Sequence, residues 1–170
     1  MARSERPASF DDTVRAHAAD LYRYAFWLSR DRQQAEDIVQ DALLRGWRGF
    51  AALRDRSKAK GWLFAIVRNE FLRQGAKNQP PLQSLDAADI DIPDERAGLF
   101  GLEMRDAILA LPPALAEPLA LQVLGGFDCT EIAAMLQTSE GAVMTRLTRA
   151  RQALRRLVNP PARERAEGRP

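Results

Sequence analysis

Apolar residues recur every three or four positions in several stretches of this chain, as expected for amphipathic helices. Ser9, followed by Asp11 and Asp12, marks the start of the first helix, because these residue types favour helix N-termini. Its predicted buried stripe consists of Val14, Ala18, Leu21, Ala25 and Leu28. No stretch alternates apolar and polar residues for long enough to predict a strand. The pattern therefore predicts an all-α protein.

A second helix is predicted to open at Asp31, with Gln34 placed as in a capping box. Its apolar set, expected to be buried, is Ala35, Ile38, Val39, Ala42, Leu43, Trp47 and Phe50. The polar segment LRDRSKAKG at residues 53–61 interrupts the pattern. A third helix, WLFAIVRNEFLRQGAK, follows from Trp62 and is predicted to end near Gly75.

Residues 78–97 contain Pro80, Pro81 and Pro93, which exclude a continuous helix. They predict a linker, and an ordered loop packed between two domains is an equally good interpretation. We therefore predict one domain over residues 8–77 and another over residues 98–158. The polar, proline-rich tail at residues 159–170 is expected to be disordered.

The second domain is predicted to begin with a helix over residues 99–111. Pro112 and Pro113 begin the next helix, which is expected to end at Gly125 and Gly126. Pro118 should shorten or bend this helix, because proline lacks the backbone N–H that a helix interior uses.

Residues 130–158, TEIAAMLQTSEGAVMTRLTRARQALRRLV, have the pattern of a helix-turn-helix. Thr130 is the predicted N-cap of its first helix and Ser139 that of its second. The second helix should bury Val143, Leu147, Ala150 and Leu154, and it carries five arginines and no acid after Gly141. A basic helix of this kind suits the polyanionic surface of DNA. An ordinary surface helix with a solvated basic face remains the alternative.

Charge is unevenly distributed along the chain. Residues 1–78 carry fifteen Lys and Arg against ten Asp and Glu, residues 79–109 carry two against seven, and residues 110–170 carry eight against six. Two basic ends around an acidic middle suggest two units that face nucleic acid, joined by a linker. The chain has one cysteine, Cys129, which excludes an internal disulfide. With one histidine, His17, it also has too few ligands for a structural zinc site. We expect no cofactor, no metal and no membrane insertion, and a cytoplasmic location.

Four segments in order resemble the extracytoplasmic-function (ECF) sigma factors of bacterial RNA polymerase. They are AEDIVQDALLRGWRGF (residues 35–50), GWLFAIVRNEFLRQ (residues 61–74), LP (residues 111–112) and TEIAAML followed by EGAVMTRLTRARQALRRL (residues 130–157). The resemblance covers about residues 10–158. It implies a sigma region 2 domain, a linker and a sigma region 4 domain. It also implies a protein that binds core polymerase and directs it to promoters.

The second helix carries a polar stripe, because residues three, four and eight positions apart lie on one side of a helix. The stripe consists of Glu36, Asp37, Gln40, Asp41 and Arg45. The resemblance implies that this helix meets the coiled-coil clamp of the largest polymerase subunit. Asp37, Gln40 and Asp41 match that family motif, and Arg45 of the same polar stripe completes the set of candidate core-binding residues. Without the resemblance, a solvated polar face would be the preferred interpretation.

The third helix is the candidate for opening the promoter. Asn69 offers a donor and an acceptor to a base edge, and it matches the family position that helps to read a flipped base of the downstream promoter element. Phosphate contacts are expected from nearby cations. Trp62 could stack on a base, although an aromatic residue at helical spacing is more often part of a core. The downstream-element candidates are Arg56, Lys58, Lys60, Trp62, Asn69 and Arg73, with Arg54 and Arg68 as further phosphate contacts.

The last helix would read the upstream promoter element as duplex DNA. Its candidates are Met144, Thr145, Arg146, Thr148 and Arg149, and all of them except Arg146 match contacting positions of the family. Met144 departs from the family, because this position is usually basic, and a methionine cannot neutralise a phosphate. The loop at residues 53–61 also lacks the aromatic-Arg-Gly run common in relatives.

Two other functions remain open at this stage. One is a regulator that binds duplex DNA through its helix-turn-helix without polymerase, although such a protein needs neither the polar stripe nor Asn69. The other is a helical interaction protein with no DNA target. An enzyme is not expected, because no nucleophile–base pair, glycine-rich phosphate loop or metal-ligand spacing is present. The family resemblance adds an anti-sigma factor as a partner, a stress or envelope response, and a monomeric free form.

Overall fold

The computed structural model describes residues 9–77, 108 and 110–158. Within them the chain forms six α-helices and two short 3₁₀ helices, at Phe50–Ala52 and Arg56–Lys58. The α-helices are α1 (Phe10–Ser29), α2 (Arg32–Gly49), α3 (Ala59–Lys77), α4 (Pro113–Gly125), α5 (Cys129–Leu136) and α6 (Glu140–Val158). No strand occurs in these ranges, and the prediction of an all-α fold is confirmed.

Side-chain caps fix where most of these helices begin. Ser9 and Asp12 form a reciprocal capping box at α1. The hydrogen bonds from Ser9 hold the pKa of the Asp12 carboxyl below its ordinary value. Asp31 caps α2 by accepting from the Gln34 amide, and Ser139 accepts from the Ala142 amide at the start of α6. These three starts agree with the sequence prediction.

The helix-turn-helix begins two residues earlier than predicted. Asp128, and not Thr130, is the N-cap of α5, and it forms a capping box with Glu131. A carboxylate at this position accepts from the Glu131 amide, while the Glu131 side chain accepts from the Asp128 amide. Thr130 lies inside the first turn and donates to Glu140 across the turn instead.

Helix α4 starts at Pro113 and ends at Gly125, as predicted, and Gly126 adopts the left-handed conformation with φ of 68°. The helix continues through Pro118, so of the two expected effects, shortening or bending, shortening does not occur. Pro118 is fully buried. Burial of its ring offsets the loss of one backbone hydrogen bond.

Helices α1, α2 and α3 pack around one core, which includes Leu21, Ile38, Leu63 and Phe64. The prediction that Trp47 is buried is wrong, because its side chain is 68% exposed. Gly46 takes the inward position of that turn, where an added Cβ would lie 2.9 Å from the Leu63 side chain. This close helix packing leaves the next residue on the outer surface.

Helices α4, α5 and α6 form the second unit. Val143, Leu147 and Ala150 are buried as predicted, and Leu154 is half-buried. The two units also pack against each other, α1 against α4 and α3 against α5. The rings of Phe64 and Phe127 meet edge to face across this contact, with centroids 4.8 Å apart.

Several predicted segments fall outside the described residues. They are the linker at residues 78–97, most of the helix predicted at residues 99–111 and the tail at residues 159–170. Among the helices that are described, none combines the length and the apolar character needed to cross a membrane. The described part of the chain also holds no group of His, Cys, Asp and Glu suited to a metal ion.

Candidate nucleic-acid interface

The polar stripe of α2 lies on the surface of the N-terminal unit. Asp37 and Gln40 are exposed, and Asp37 accepts a hydrogen bond from Gln33 at 3.2 Å. Leu44 and Trp47 are exposed on the same outer side of the helix. This face therefore places apolar side chains beside polar ones, as the apolar centre and polar rim of a protein–protein contact surface do.

Asp41 and Arg45 lie at the edge of this face, beside α3. Arg45 forms an ion pair with Glu70, a residue of α3 that is only 2% exposed. Arg73 donates to Glu70 from Nε at 3.0 Å and from Nη2, and its Nη2 lies 3.8 Å from Asp41. Arg73 was predicted to contact downstream DNA, and in this structure it bridges α3 to the edge of α2.

Asn69 is exposed on α3, and its side-chain amide carries one acceptor group and one donor group. Trp62 is half-buried against Phe50, with ring centroids 6.4 Å apart, and its ring also lies beside Gly49. Trp62 is thus partly packed at the end of α2. The part of the Trp62 side chain that stays accessible to solvent belongs to α3, the helix that also carries Asn69.

The loop before α3 presents two of the predicted cations in different ways. Lys58 is exposed. Arg56 lies over the ring of Phe50, with its guanidinium carbon 3.8 Å from the ring centroid. Its buried Nη1 has no hydrogen-bond acceptor among the described residues.

Lys60 is bound by the C-terminal unit. Its Nζ donates to the backbone carbonyl of Gly125 at 2.5 Å and lies 5.2 Å from the ring centroid of Phe127. Burial and the neighbouring Lys60 charge lower the pKa of His17, while Asp20 opposes this shift. A cation predicted to bind phosphate is here part of the contact between the two units.

Arg68 makes a second contact between the units. It forms a two-pronged ion pair with Glu117 of α4, with Nε–Oε1 and Nη2–Oε2 distances of 2.7 and 3.3 Å. The Tyr24 hydroxyl donates to the same carboxylate at 3.3 Å. Burial, together with the Glu117 charge, raises the pKa of Tyr24 well above its ordinary value of 10.0. Hydrogen bonding to Glu117 raises the pKa of Arg68.

Helix α6 presents the predicted upstream face to solvent. Met144, Thr145, Thr148 and Arg149 are exposed, Met144 to 55%, and Arg146 is half-buried. The hydroxyls of Thr145 and Thr148 donate to carbonyls one turn back in the same helix, each at 2.9 Å. Arg151 donates to Gln122 of α4 at 2.6 Å, which ties the helix to its own unit.

Sequence reasoning missed Glu70 and Glu117. Glu70 follows Leu63 by seven residues and Val67 by three, so it occupies an inward position of α3. An acid at such a position is a signal for a buried carboxylate with cationic partners. Glu117 has no comparable signal, because its partners Tyr24 and Arg68 belong to the other unit.

Two family models match this chain and divide it as the helices do. Sigma-70 region 2 matches residues 13–80, and sigma-70 region 4 matches residues 101–154. The first match covers the three-helix unit that carries Asp37 and Asn69. The second covers the helix-turn-helix.

Curated relatives and solved structures match nearly the full chain. This chain is 36% identical to the ECF RNA polymerase sigma factor SigL of Mycobacterium tuberculosis over 146 residues, which cover 82% of each protein. Identity to SigM of the same species is 32%, over 88% of this chain and 77% of SigM. The structure of the sigma factor RpoE of Bartonella quintana, solved with the anti-sigma factor NepR, matches with a TM-score of 0.67 and 25% identity, covering 88% of this chain and 96% of RpoE.

Proposed function

Since this chain belongs to the ECF sigma factors of bacterial RNA polymerase and directs the core enzyme to promoters, we propose how its surfaces divide that work. The α2 face docks the polymerase, α3 reads and holds the melted downstream element, and α6 reads the upstream element as duplex. The observation that carries this division is the exposure of one set of polar groups on each of three helices: Asp37 and Gln40 on α2, Asn69 on α3, and Thr145, Thr148 and Arg149 on α6. The protein acts in the cytoplasm as a binding factor and not as an enzyme.

The α2 face suits a protein partner. Asp37 and Gln40 supply polar contacts, while Leu44 and Trp47 supply apolar area that is lost from water on docking. Asp41 and Arg45 border these groups. An exposed tryptophan of this kind is typical of the residues that dominate binding energy at interfaces.

Helix α3 suits single-stranded DNA. A flipped base is held by hydrogen bonds to its edge, which the exposed Asn69 amide can form, and by stacking. Lys58 at the helix start is exposed and available to phosphate. Unstacking a base costs a few kcal/mol. Contacts to the opened strand offset this cost only while polymerase holds α3 at the promoter.

Helix α6 suits the major groove. Its outer face offers threonine hydroxyls and Arg149 to base edges, and the arginines beyond are placed for phosphates. Met144 is exposed but carries no charge, so it suits the methyl group of a thymine. We expect one phosphate contact fewer than in relatives that have a basic residue there.

The contact between the two units suggests how the free protein is held inactive. Lys60 and Arg68 are bound by Gly125 and Glu117, so they are not available to DNA in this arrangement. We propose that the free monomer is closed in this way and opens on core polymerase. An anti-sigma factor that stabilises the closed arrangement would fit this mechanism, with release in a stress or envelope response.

Run-off transcription with purified core polymerase on promoter fragments tests the assignment. Asp37→Ala is expected to abolish transcripts by weakening core binding. Asn69→Ala is expected to abolish them while leaving core binding intact, because it removes a contact made only to the opened strand. Asp11→Ala, an exposed acid on α1, serves as the matched control for loss of a surface charge.

Each failure points to a different part of the proposal. Wild-type transcription by Asp37→Ala would remove α2 as the docking face, and wild-type transcription by Asn69→Ala would remove the base-reading role. If the wild-type chain bound duplex DNA tightly without core and supported no transcript, a polymerase-independent helix-turn-helix regulator would be the better description.

A further inference from the structure

Glu70 is the most deeply buried charged group among the described residues, and the function proposed above does not use it. It lies in α3, directly after the exposed Asn69. Its carboxylate is paired with Arg45 of α2 and with Arg73 one turn further along α3. A buried carboxylate needs such partners, because an uncompensated charge in a low-dielectric interior is strongly destabilising.

The partners of Glu70 continue directly into the docking face. Arg73 also faces Asp41 at 3.8 Å, and the Gln74 amide donates to the same Asp41 carboxylate at 3.5 Å. Two groups at the edge of the α2 face, Asp41 and Arg45, are therefore oriented from α3. Both side chains would otherwise sample several rotamers, and fixing them beforehand reduces the entropy lost on binding.

Arg73 sits between two environments on α3. The exposed Asn69 is one turn earlier, and the buried Glu70 is three residues earlier. The guanidinium is directed to the α2 side, where it contacts two carboxylates, Glu70 and Asp41. A phosphate would have to compete with both carboxylates for this guanidinium.

We propose that Glu70 and Arg73 are positioning residues of the polymerase-docking face, and that Arg73 serves this face and not promoter DNA. Glu70 holds Arg45 and Arg73, and Arg73 and Gln74 hold Asp41. The docking surface thus continues from α2 onto the edge of α3. This inference rests on the proposed docking role of α2, and it ties the helix that binds polymerase to the helix that carries Asn69.

Core-polymerase affinity of the full-length chain tests the role of Glu70. Glu70→Gln keeps the shape of the side chain and removes its charge, and it is expected to weaken core binding about tenfold, the loss of about one charge-assisted hydrogen bond. Arg45→Gln should weaken binding similarly. The double variant should lose less than the sum of the two single losses, because Glu70 acts in part through Arg45 and in part through Arg73. Additive losses would overturn the positioning role.

Salt dependence tests the role of Arg73 with the buried Glu70 side chain left in place. Arg73→Ala should weaken core binding, while the slope of holoenzyme–promoter affinity against salt stays at the wild-type value. Lys58→Ala, the matched cation removal, should leave core binding unchanged and reduce that slope by about one. A reduced slope for Arg73→Ala with unchanged core binding would return Arg73 to the DNA face and overturn the proposal.

Asp37→Ala separates failure of this inference from failure of the proposed function. If Asp37→Ala binds core normally, α2 is not the docking face and both fail together. If Asp37→Ala is defective while Glu70→Gln and Arg73→Ala bind core as the wild type does, only the inference fails. Should Glu70→Gln be unfolded at the assay temperature by circular dichroism, the two Arg73→Ala readouts decide the proposal.

Discussion

The two units of this protein hold their functional side chains in opposite ways. In the C-terminal unit, the outer face of α6 points to solvent, and its threonine hydroxyls donate to carbonyls of their own helix. In the N-terminal unit, Lys60 and Arg68 are bound by the other unit, and Arg45 and Arg73 by Glu70. The first surface is ready for a ligand as it stands. In the second, Lys60 and Arg68 must leave Gly125 and Glu117 before they can bind DNA.

The largest effect is expected at the ring that joins the two units. Phe64 is fully buried and packs edge-on against Phe127. Phe64→Ala should therefore lower the free energy of unfolding by about 3–5 kcal/mol. Trp47→Ala, at an exposed aromatic, should change it by no more than about 0.5 kcal/mol. Urea unfolding of both variants measures the difference, and equal losses would mean that Trp47 is packed in solution.

The next largest effect concerns the exposed face of α6. Arg149→Ala should weaken binding of the upstream duplex by about 1–3 kcal/mol and relax preference at one base pair. Arg155→Ala, in the last turn of the same helix, should weaken all sequences alike and reduce the salt slope by about one. Titrations of holoenzyme on matched and scrambled duplexes separate these behaviours. Identical profiles for the two variants would argue against base reading by Arg149.

A smaller effect is expected from the ion pair between the units. Glu117→Gln leaves Arg68 without its carboxylate partner. It should lower the free energy of unfolding, measured by thermal unfolding, by about 1.5–3 kcal/mol. Arg68→Gln should cost a similar amount, and the double variant less than the two together, because the groups share one interaction. Glu36→Gln, an exposed acid on α2, is the control and should be neutral. Strict additivity would show that the pair does not form in solution.

The smallest effect concerns His17. Its pKa is lowered in the fold, mainly by burial and also by Lys60, so the unfolded chain binds a proton more readily. The contribution of His17 to the free energy of unfolding is complete above about pH 6.5, the pKa of histidine in the unfolded chain. It is lost as the pH falls through the lower pKa of His17 in the folded protein. His17→Gln should flatten the stability profile in that interval. A profile identical to that of the wild type would show that His17 does not contribute.

Helical periodicity predicted the C-terminal unit better than the surface of the N-terminal one. Val143, Leu147 and Ala150 are buried, and the positions between them are exposed apart from the half-buried Arg146, because α6 has one packed side. The same reasoning gave the wrong result for Trp47, because Gly46 takes the inward position and allows α2 and α3 to pack closely there. Chain-local patterns also cannot show that Glu117 meets Arg68, because that pair depends on how two units dock.

Helix ends could be predicted from the sequence only in part, as the helix N-caps and Pro118 show. Ser9, Asp31 and Ser139 were identified from sequence because each stands directly before an apolar helical pattern. At the helix-turn-helix, Asp128 and Thr130 are both good caps, and the reciprocal bond with Glu131 selects Asp128. The tertiary burial of Pro118 likewise overrides its intrinsic tendency to end a helix.

The distance between the two units, measured by pulsed electron paramagnetic resonance, tests the central claim most directly. Spin labels would be placed at Ala16→Cys on α1 and Gln152→Cys on α6, both exposed positions, in a Cys129→Ser background. The claim that internal partners occupy Lys60 and Arg68 until polymerase binds predicts one short, narrow distance in the free protein. It predicts a longer distance after addition of core polymerase. The same distribution in both states would contradict it.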